Sequence, residues 1–314
     1  MTVAPFESAA GTRGYDRAFD WIYSPPPAPP AGRALIGVVW DGLALNTGGA
    51  DPAALCAIVE NVDGWVGGPP ADGHDAPRAV ADGSAWGPKT LGARTITVTG
   101  VGLGPRGLLA GFRDQLAMRA AKRQPAPFTV TDGLGDGRAL TASTRAGTDA
   151  LAVTWLGNTA FRYQAVVTAA DPLIYEDLWQ TVILRPGGPG ASGRPYQRVY
   201  SWSYSSPDTP SSAILGNTGN SPAPVWALFA GDLVTPELRD DAGNTINLAT
   251  LDAGIEIVVA TDDLTAYAAG GVSRASYILP GSRPMLIPAL ASARWSLYSQ
   301  GSGSVTLAWR SAWT

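Results

Sequence analysis

Residues 94–123 read RTITVTGVGLGPRGLLAGFRDQLAMRAAKR, and the change of period within this stretch decides the fold. From Arg94 to Val101 the side chains alternate, with Ile96 and Val98 on one side and Thr95, Thr97 and Thr99 on the other. That two-residue period is a strand with one buried face. From Pro105 to Lys122 the period becomes helical: Leu109, Phe112, Leu116 and Ala120 make a single apolar stripe. Pro105 suits a helix start, and Arg119, Lys122 and Arg123 suit the negative end of the helix dipole. Pro125 and Pro127 enforce the stop. The joint between the two periods, Gly102-Leu-Gly104-Pro-Arg-Gly107, has the layout of a dinucleotide-binding turn, with Asp132 ending the next strand where a ribose-binding acid would stand. A dinucleotide fold needs repeated strand–helix crossovers, whereas this chain offers one good helix among many strands. In a chain with 38 glycines such a spacing carries little weight, and Asp132-Gly133 reads as an ordinary turn.

Working outward, short strands dominate. Upstream lie Phe19–Tyr23 and Ala34–Trp40, joined by the five-proline segment Ser24–Gly32, which reads as a stiff extended connection. Ala53–Val62 is apolar, and Asp63–Lys89 reads as a loop rich in Gly, Pro and Asp. Downstream, Phe128–Thr131, Leu151–Leu156, Phe161–Thr168 and Trp179–Leu184 read as strands. Phe161, Tyr163, Ala165 and Val167 share one face. Tyr196–Tyr204 alternates again, with Tyr200, Trp202 and Tyr204 on one side. Ser205–Pro224 is the candidate linker. Seven further strand-like runs follow: Trp226–Phe229, Glu237–Arg239, Thr245–Leu248, Ile255–Val259, Met285–Ile287, Trp295–Tyr298 and Val305–Trp309. Asp240–Asn244 reads as a hairpin turn, since Gly243 and Asn244 tolerate positive φ. The reading is mainly β: a domain at 1–195 containing the helix, a strand and linker at 196–224, and a β-sandwich or jelly roll at 225–314.

Composition narrows the function. Of 314 residues, 45% are hydrophobic, enough for a core in each half, and only 15% are charged, against roughly 25% in ordinary globular chains. Few charges suit a chain that gives its surface to other subunits. Gly and Pro make up about a fifth of the residues, interleaved with 11 Trp and 10 Tyr, a pattern of short strands and turns rather than disorder. With a net charge of −4 and no basic patch, the electrostatic footprint of a nucleic-acid binder is missing. The lone Cys56 forms no intrachain disulfide and reads as a small buried apolar residue. Neither a signal peptide nor a membrane helix is expected.

Chemistry-bearing constellations are sparse. His74 is the single histidine, so a Ser-His-Asp triad would have to use it, and no Gly-x-Ser-x-Gly elbow supplies the serine. Asp72, Asp75 and Asp82 near His74 could offer oxygen ligands to Ca²⁺, but their spacing matches no EF-hand loop; a solvent loop is the plainer reading. One His and one Cys do not make a usual zinc ligand set. Asp240–Asp241 and Asp262–Asp263 fall between strands, where Asp initiates turns, so a glycosidase pair is not read from them. Trp226, Trp295 and Trp309 are expected to fill the core between two sheets; the rival reading makes aromatics of this half a platform for sugar rings. No catalytic, cofactor-binding or metal residue is assigned, and no cofactor is expected.

The order of several segments resembles the siphophage distal tail protein (Dit) family, often called minor tail proteins in actinobacterial phages. They are Val62-Asp-Gly-Trp65, Gly92-Ala-Arg-Thr-Ile-Thr-Val98, Phe112-Arg-Asp-Gln-Leu116, Phe161-Arg-Tyr163 and Ala169-Ala-Asp-Pro-Leu-Ile-Tyr175. Tyr200-Ser-Trp202, Asn217-Thr-Gly-Asn-Ser-Pro-Ala-Pro224, Pro280-Gly281 and Val305-Thr-Leu-Ala-Trp309-Arg310 continue the series. The resemblance spans nearly the whole chain. It implies an N-terminal belt domain, a split β-barrel with a helix and a projecting hairpin or loop, followed by a galectin-like β-sandwich. It further implies a homohexameric ring at the tail tip in the virion, with no membrane partner. The implied partners are the tail tube protein above, the tail-tip or baseplate hub below, and the tape measure protein and DNA passing through the lumen. The family has no catalytic residues to carry over. The Pro-rich segment 24–32 departs from it. The alternatives are a carbohydrate-binding or host-adhesion module using the C-terminal sandwich, and an enzyme.

Overall fold

The computed structural model of the chain describes residues 37–47, 54–73, 76–77, 84–85, 89–131, 137–186 and 211–314. The expected strands at Phe19–Tyr23 and Tyr196–Tyr204, and the Pro-rich segment 24–32, lie outside the described residues. Two compact units emerge. The first takes the described residues up to Asp177 together with Trp313–Thr314, and the second takes Leu178–Ala312.

The first unit contains β1 (Gly37–Trp40), β2 (Leu43–Ala44), β3 (Cys56–Asp63), β4 (Ala71–Gly73), β5 (Ala76–Pro77), β6 (Ser84–Ala85), β7 (Lys89–Leu91), β8 (Arg94–Leu103), the helix α1 (Arg106–Ala120), β9 (Ala126–Thr131), β10 (Ala139–Trp155), β11 (Ala160–Ala169) and β12 (Ile174–Glu176). Its main sheet runs β2-β1-β9-β10-β11-β8-β3 with antiparallel neighbours throughout. Among the described residues the path ends at β2 and β3 without closing into a barrel, and the mainly β reading stands. The segment read as a loop, 63–89, holds paired strands: β4 pairs β7 and, within them, β5 pairs β6, both antiparallel. Such Gly- and Pro-rich sequence lacks hydrophobic alternation, which is why pairing was not legible there.

One face of this sheet is buried. Val38 and Trp40, Ile96 and Val98, Phe128 and Val130, Leu140 and Ala142, and Phe161, Tyr163, Ala165 and Val167 form a single core with Leu109, Phe112 and Leu116 of α1. The helical stripe and both strand alternations thus pack as the sequence predicts. Phe112 lies 6.0 Å, centroid to centroid, from both Phe161 and Tyr163. Room for these rings comes from β8, where Gly102 and Gly100 pair with Phe161 and Tyr163. A Cβ on Gly102 would stand 2.9 Å from the Phe161 ring and 3.2 Å from Leu109. The Asp41-Gly42 turn between β1 and β2 has positive φ at both residues (49° and 76°), the signature of a two-residue type I′ hairpin. The basic end of α1 closes onto this turn: Arg119 donates to the Trp40 and Asp41 carbonyls, and Lys122 Nζ lies 2.7 Å from Asp41 Oδ2. Trp313 is buried in the same core, with the Arg138 guanidinium 5.6 Å from its ring.

The second unit contains β13 (Gln180–Leu184), β14 (Ser211–Asn217), β15 (Ala223–Ala230), β16 (Val234–Asp240), β17 (Thr245–Asn247), β18 (Glu256–Ala260), β19 (Thr265–Tyr267), β20 (Leu286–Ile287), β21 (Ala291–Gln300) and β22 (Ser304–Trp309); β23 (Ala312–Trp313) ends the chain. They form two sheets, β13-β22-β15-β18-β19 with β20 against β15, and β14-β21-β16-β17. Alternation buries Val225, Ala227, Phe229, Ile257, Val259, Val305, Leu307 and Trp309 of the first, and Leu215, Leu238, Ile246, Ala293, Trp295 and Leu297 of the second. This is a sandwich of two antiparallel sheets. Trp226 departs from the expectation. The pleat puts it opposite Val225 and Ala227, and it packs half-buried with Leu228, Ala230 and Val258 on the other face of its sheet. The second unit takes in described residues from Leu178 onward. Within the stretch read as strand and linker, β14 and the start of β15 occupy 211–217 and 223 onward. The Ser, Gly and Asn around these strands masked them.

Candidate functional site

The glycine turn is the first place to look for a ligand. Both flanking strands of β8 are antiparallel to it, so no parallel strand–helix–strand unit exists to present a helix N-terminus at a strand end. Gly102 serves packing. The Gly104 amide, which a pyrophosphate would need, donates instead to the Thr159 carbonyl at 3.0 Å, and a Cβ there would stand 2.8 Å from the Ala54 carbonyl oxygen. Arg106 of the same turn is held by Asn158 Oδ1 at 2.7 Å and stacks 5.0 Å from the Trp155 ring. Asp132 lies outside the described residues, as do His74, Asp75 and Asp82 and hence most of the candidate Ca²⁺ loop.

Three of the four paired acids hold protein groups. Asp240 accepts from the Asn244 amide N–H at 2.7 Å and from Asn244 Nδ2 at 2.8 Å. Asp241 accepts the Arg294 N–H, and Asp263 accepts both the N–H and the hydroxyl of Thr265. Asp240 and Asp263 therefore act locally, as Asx-type turn residues do. Among the described residues no group of three His, Cys, Asp or Glu side chains is placed to hold a metal ion. Nor is any described helix long and apolar enough to cross a membrane.

The most strongly perturbed polar groups stabilise architecture. Arg94 is 1% exposed. It donates Nε to the Pro172 carbonyl and Nη1 to the Gly64, Trp65 and Gly67 carbonyls at 2.7–2.9 Å. Burial lowers its pKa, and the nearby Asp171 charge raises it in opposition. This clamp fixes the Gly64–Gly67 turn and seats Trp65 against Phe128, 5.6 Å away. Arg94 shares the parity of Ile96 and Val98 in β8, but its charge outweighed that signal of burial. Tyr163 donates its hydroxyl to Leu45 O at 3.3 Å; burial first, and the Glu60 charge second, push its pKa above the ordinary phenol value.

What the first unit offers outward is surface. Ile58, Leu103, Leu108, Met118 and Leu156 are exposed. Edge strand β3 is covered at Ala57, where Thr47 donates its N–H to the Ala57 carbonyl and its hydroxyl accepts the Ala57 N–H, both at 2.9 Å. Beyond Ala57, no described strand lies along that edge. An open sheet edge is a template for pairing with another chain.

No protein-family model matches the chain, and no curated protein matches it. Solved structures do. The crystal structure of the Dit protein (gp 19.1) of phage SPP1, described as a paradigm of the hub adsorption apparatus in phages infecting Gram-positive bacteria, superposes with a TM-score of 0.58 at 15% identity, over 90% of this chain and 100% of that one. Chains of the phage P2 baseplate in its activated conformation, with Ca and with Sr, give TM-scores of 0.43 and 0.42 at 10% and 11% identity, each over 84% of this chain and 98% of that one. The SPP1 likeness establishes a shared, β-rich Dit-like fold that embraces both units.

Proposed function

We propose that this chain is a structural subunit of a long-tailed phage virion, forming a homohexameric ring at the distal end of the tail tube and joining the tube to the tail-tip or baseplate hub. The observation that carries the reading is the end-to-end fold likeness to SPP1 Dit. The first unit is the ring-forming belt and the second a galectin-like sandwich. The tail tube protein and the hub are its axial partners, and the tape measure protein and DNA pass through the lumen. The protein acts by assembly, not catalysis.

Two physical features support this. A sheet whose β3 edge carries no further described strand beyond Ala57, with exposed apolar residues beside it, is completed by closing with copies of itself, because cyclic closure pairs open edges. A chain with 15% charged residues and a net charge of −4 also suits a conduit for DNA, since a strongly basic lumen would hold the phosphates. Light scattering on the eluting protein tests the ring. The expected mass is six times the 32.4 kDa chain, with rings in negative-stain images; a monomer at micromolar concentration rejects the proposal.

A further inference from the structure

Trp313 belongs to the first unit although the second unit precedes it in the chain. The chain leaves the first unit after Asp177, builds the second from Leu178 to Ala312, and returns with Trp313. β23 pairs with β12, and Trp313 joins the core that holds Leu140 and Ile174. β12 is itself tied to β10, where Leu140 pairs with Glu176 and Thr141 with Tyr175. A large aromatic ring thus closes this core from a point far along the sequence. The two residues before it are fixed in the second unit. Ser311 and Ala312 are fully buried at the corner around Asn217. Ala312 donates its N–H to Asn217 Oδ1 at 3.3 Å, and its carbonyl accepts the Ser221 N–H at 3.1 Å. Ser311 Oγ accepts the Thr218 N–H at 3.3 Å. Gly219 runs so close that a Cβ there would overlap the Ala312 backbone. A single peptide bond therefore joins a residue anchored in one unit to a residue anchored in the other.

We propose that Ala312–Trp313 is a strap that couples the two units: the Asn217 corner, once formed, holds Trp313 ready for the first unit, whose core is complete only when the ring is seated. A side chain on a fixed backbone gives up less freedom on binding than one on a loose tail, because the tether raises its effective concentration. Loosening the corner therefore weakens the seating of Trp313. By linkage the coupling is reciprocal, so unseating Trp313 weakens the corner by the same factor. The first unit, whose strands come first in the sequence, reaches its final packing last. The inference is independent of the ring: the strap acts within one chain, and neither a monomer nor a hexamer alters what it requires.

The test is amide hydrogen exchange on the full-length protein, read where β10 meets β12 and at the Asp177 N–H, which donates to the Ala139 carbonyl. Trp313→Ala should speed exchange there by roughly tenfold or more. Asn217→Leu, a change within the second unit, should speed the same first-unit amides by roughly threefold or more, and should add nothing further in a Trp313→Ala background. Reciprocally, Trp313→Ala should speed exchange at the Gly219 and Ala312 amides. Trp295→Ala is the control: it damages the second unit at a residue paired with Ala213 and Asp240, not with the corner, and should leave the β10–β12 amides as they are. Where Asn217→Leu or Trp313→Ala prevents folding, Ser311→Ala and Trp313→Phe take their places with the same expected directions. Wild-type exchange at β10–β12 in the corner variant would overturn the proposal. So would an equal acceleration with and without Trp313, or an acceleration by Trp295→Ala that matches the corner variant.

Discussion

The two units secure their loops with opposite chemistries. In the first, a buried cation, Arg94, gathers four carbonyls: Gly64, Trp65, Gly67 and Pro172. In the second, a buried neutral amide does the equivalent work. Asn217 Oδ1 accepts from the Gly219 and Ala312 N–H groups, while Nδ2 donates to the Ser221 and Pro288 carbonyls. The difference follows from what each architecture leaves over. The Gly64–Gly67 turn aims three carbonyls at Arg94, and a guanidinium carries donors only, spread over a planar fork. The corner between β14 and β15 brings both N–H and C=O groups together, and a carboxamide answers both. Each choice satisfies buried backbone groups that would otherwise destabilise the fold.

The largest expected effects concern the cores that these hubs frame. Phe112→Ala should destabilise the first unit, and Trp295→Ala the second, each by about 3–5 kcal/mol through loss of burial and an unfilled cavity. Denaturant titration read alongside amide exchange would localise the damage: faster exchange in β8 and β11 for the former, and in β16 and β21 for the latter. An unaltered midpoint for either variant breaks that core assignment.

Next come the hubs. Arg94→Met should cost about 3 kcal/mol, leaving four carbonyls without their donor in exchange for relief of a buried charge, and Asn217→Leu about 2 kcal/mol. Arg94→Lys should rescue little, because a single ammonium cannot reproduce the planar fork that spans Pro172 on one side and the 64–67 turn on the other. Full rescue by lysine, seen as wild-type stability, would show that charge and not geometry is what the first unit requires.

These hubs also mark where the sequence stops being readable. Periodicity reports burial when it recurs, so the Leu109–Phe112–Leu116 stripe, the Phe161–Val167 alternation and most strands of the second unit were legible, and with them the mainly β class. Arg94 shares the parity of Ile96 and Val98, but at the head of a strand its charge outweighs parity, and the alternation does not say what a buried guanidinium would clamp. Asn217 sits in an Asn, Ser and Gly context that reads as a turn, although β14 runs up to it. Trp226 was misplaced because its hydrophobicity outweighed its parity in β15.

A smaller effect separates packing from ligand binding at the glycine turn. Gly102→Ala should lower stability by about 1–3 kcal/mol, since its methyl group meets Phe161 and Leu109. Gly111, exposed in the helix with open space at its Cβ position, should behave oppositely. Gly111→Ala should gain up to about 1 kcal/mol from helix propensity. Equal responses in thermal melts would show that β8 has slack under its rings and blunt the contrast between the two glycines.

The subtlest measurement uses Tyr163, the phenol that the first unit buries beside Gly100. Its pKa is raised in the folded protein, by burial and then by the Glu60 charge, so the native state keeps a proton that the unfolded chain releases near the ordinary phenol value of about 10. The stabilisation linked to that proton is complete below pH about 10 and falls as the pH rises beyond it, by at most about 1.4 kcal/mol per pH unit. Tyr163→Phe forfeits the bond to the Leu45 carbonyl and should be about 1 kcal/mol less stable at neutral pH. It should nevertheless lose stability less steeply above pH 10, so that the two profiles converge. The remaining tyrosines titrate in both proteins and cancel in the difference. Parallel profiles would mean that Tyr163 ionises as freely in the native state as in the unfolded one, which its place under Phe112 and against Gly100 does not allow.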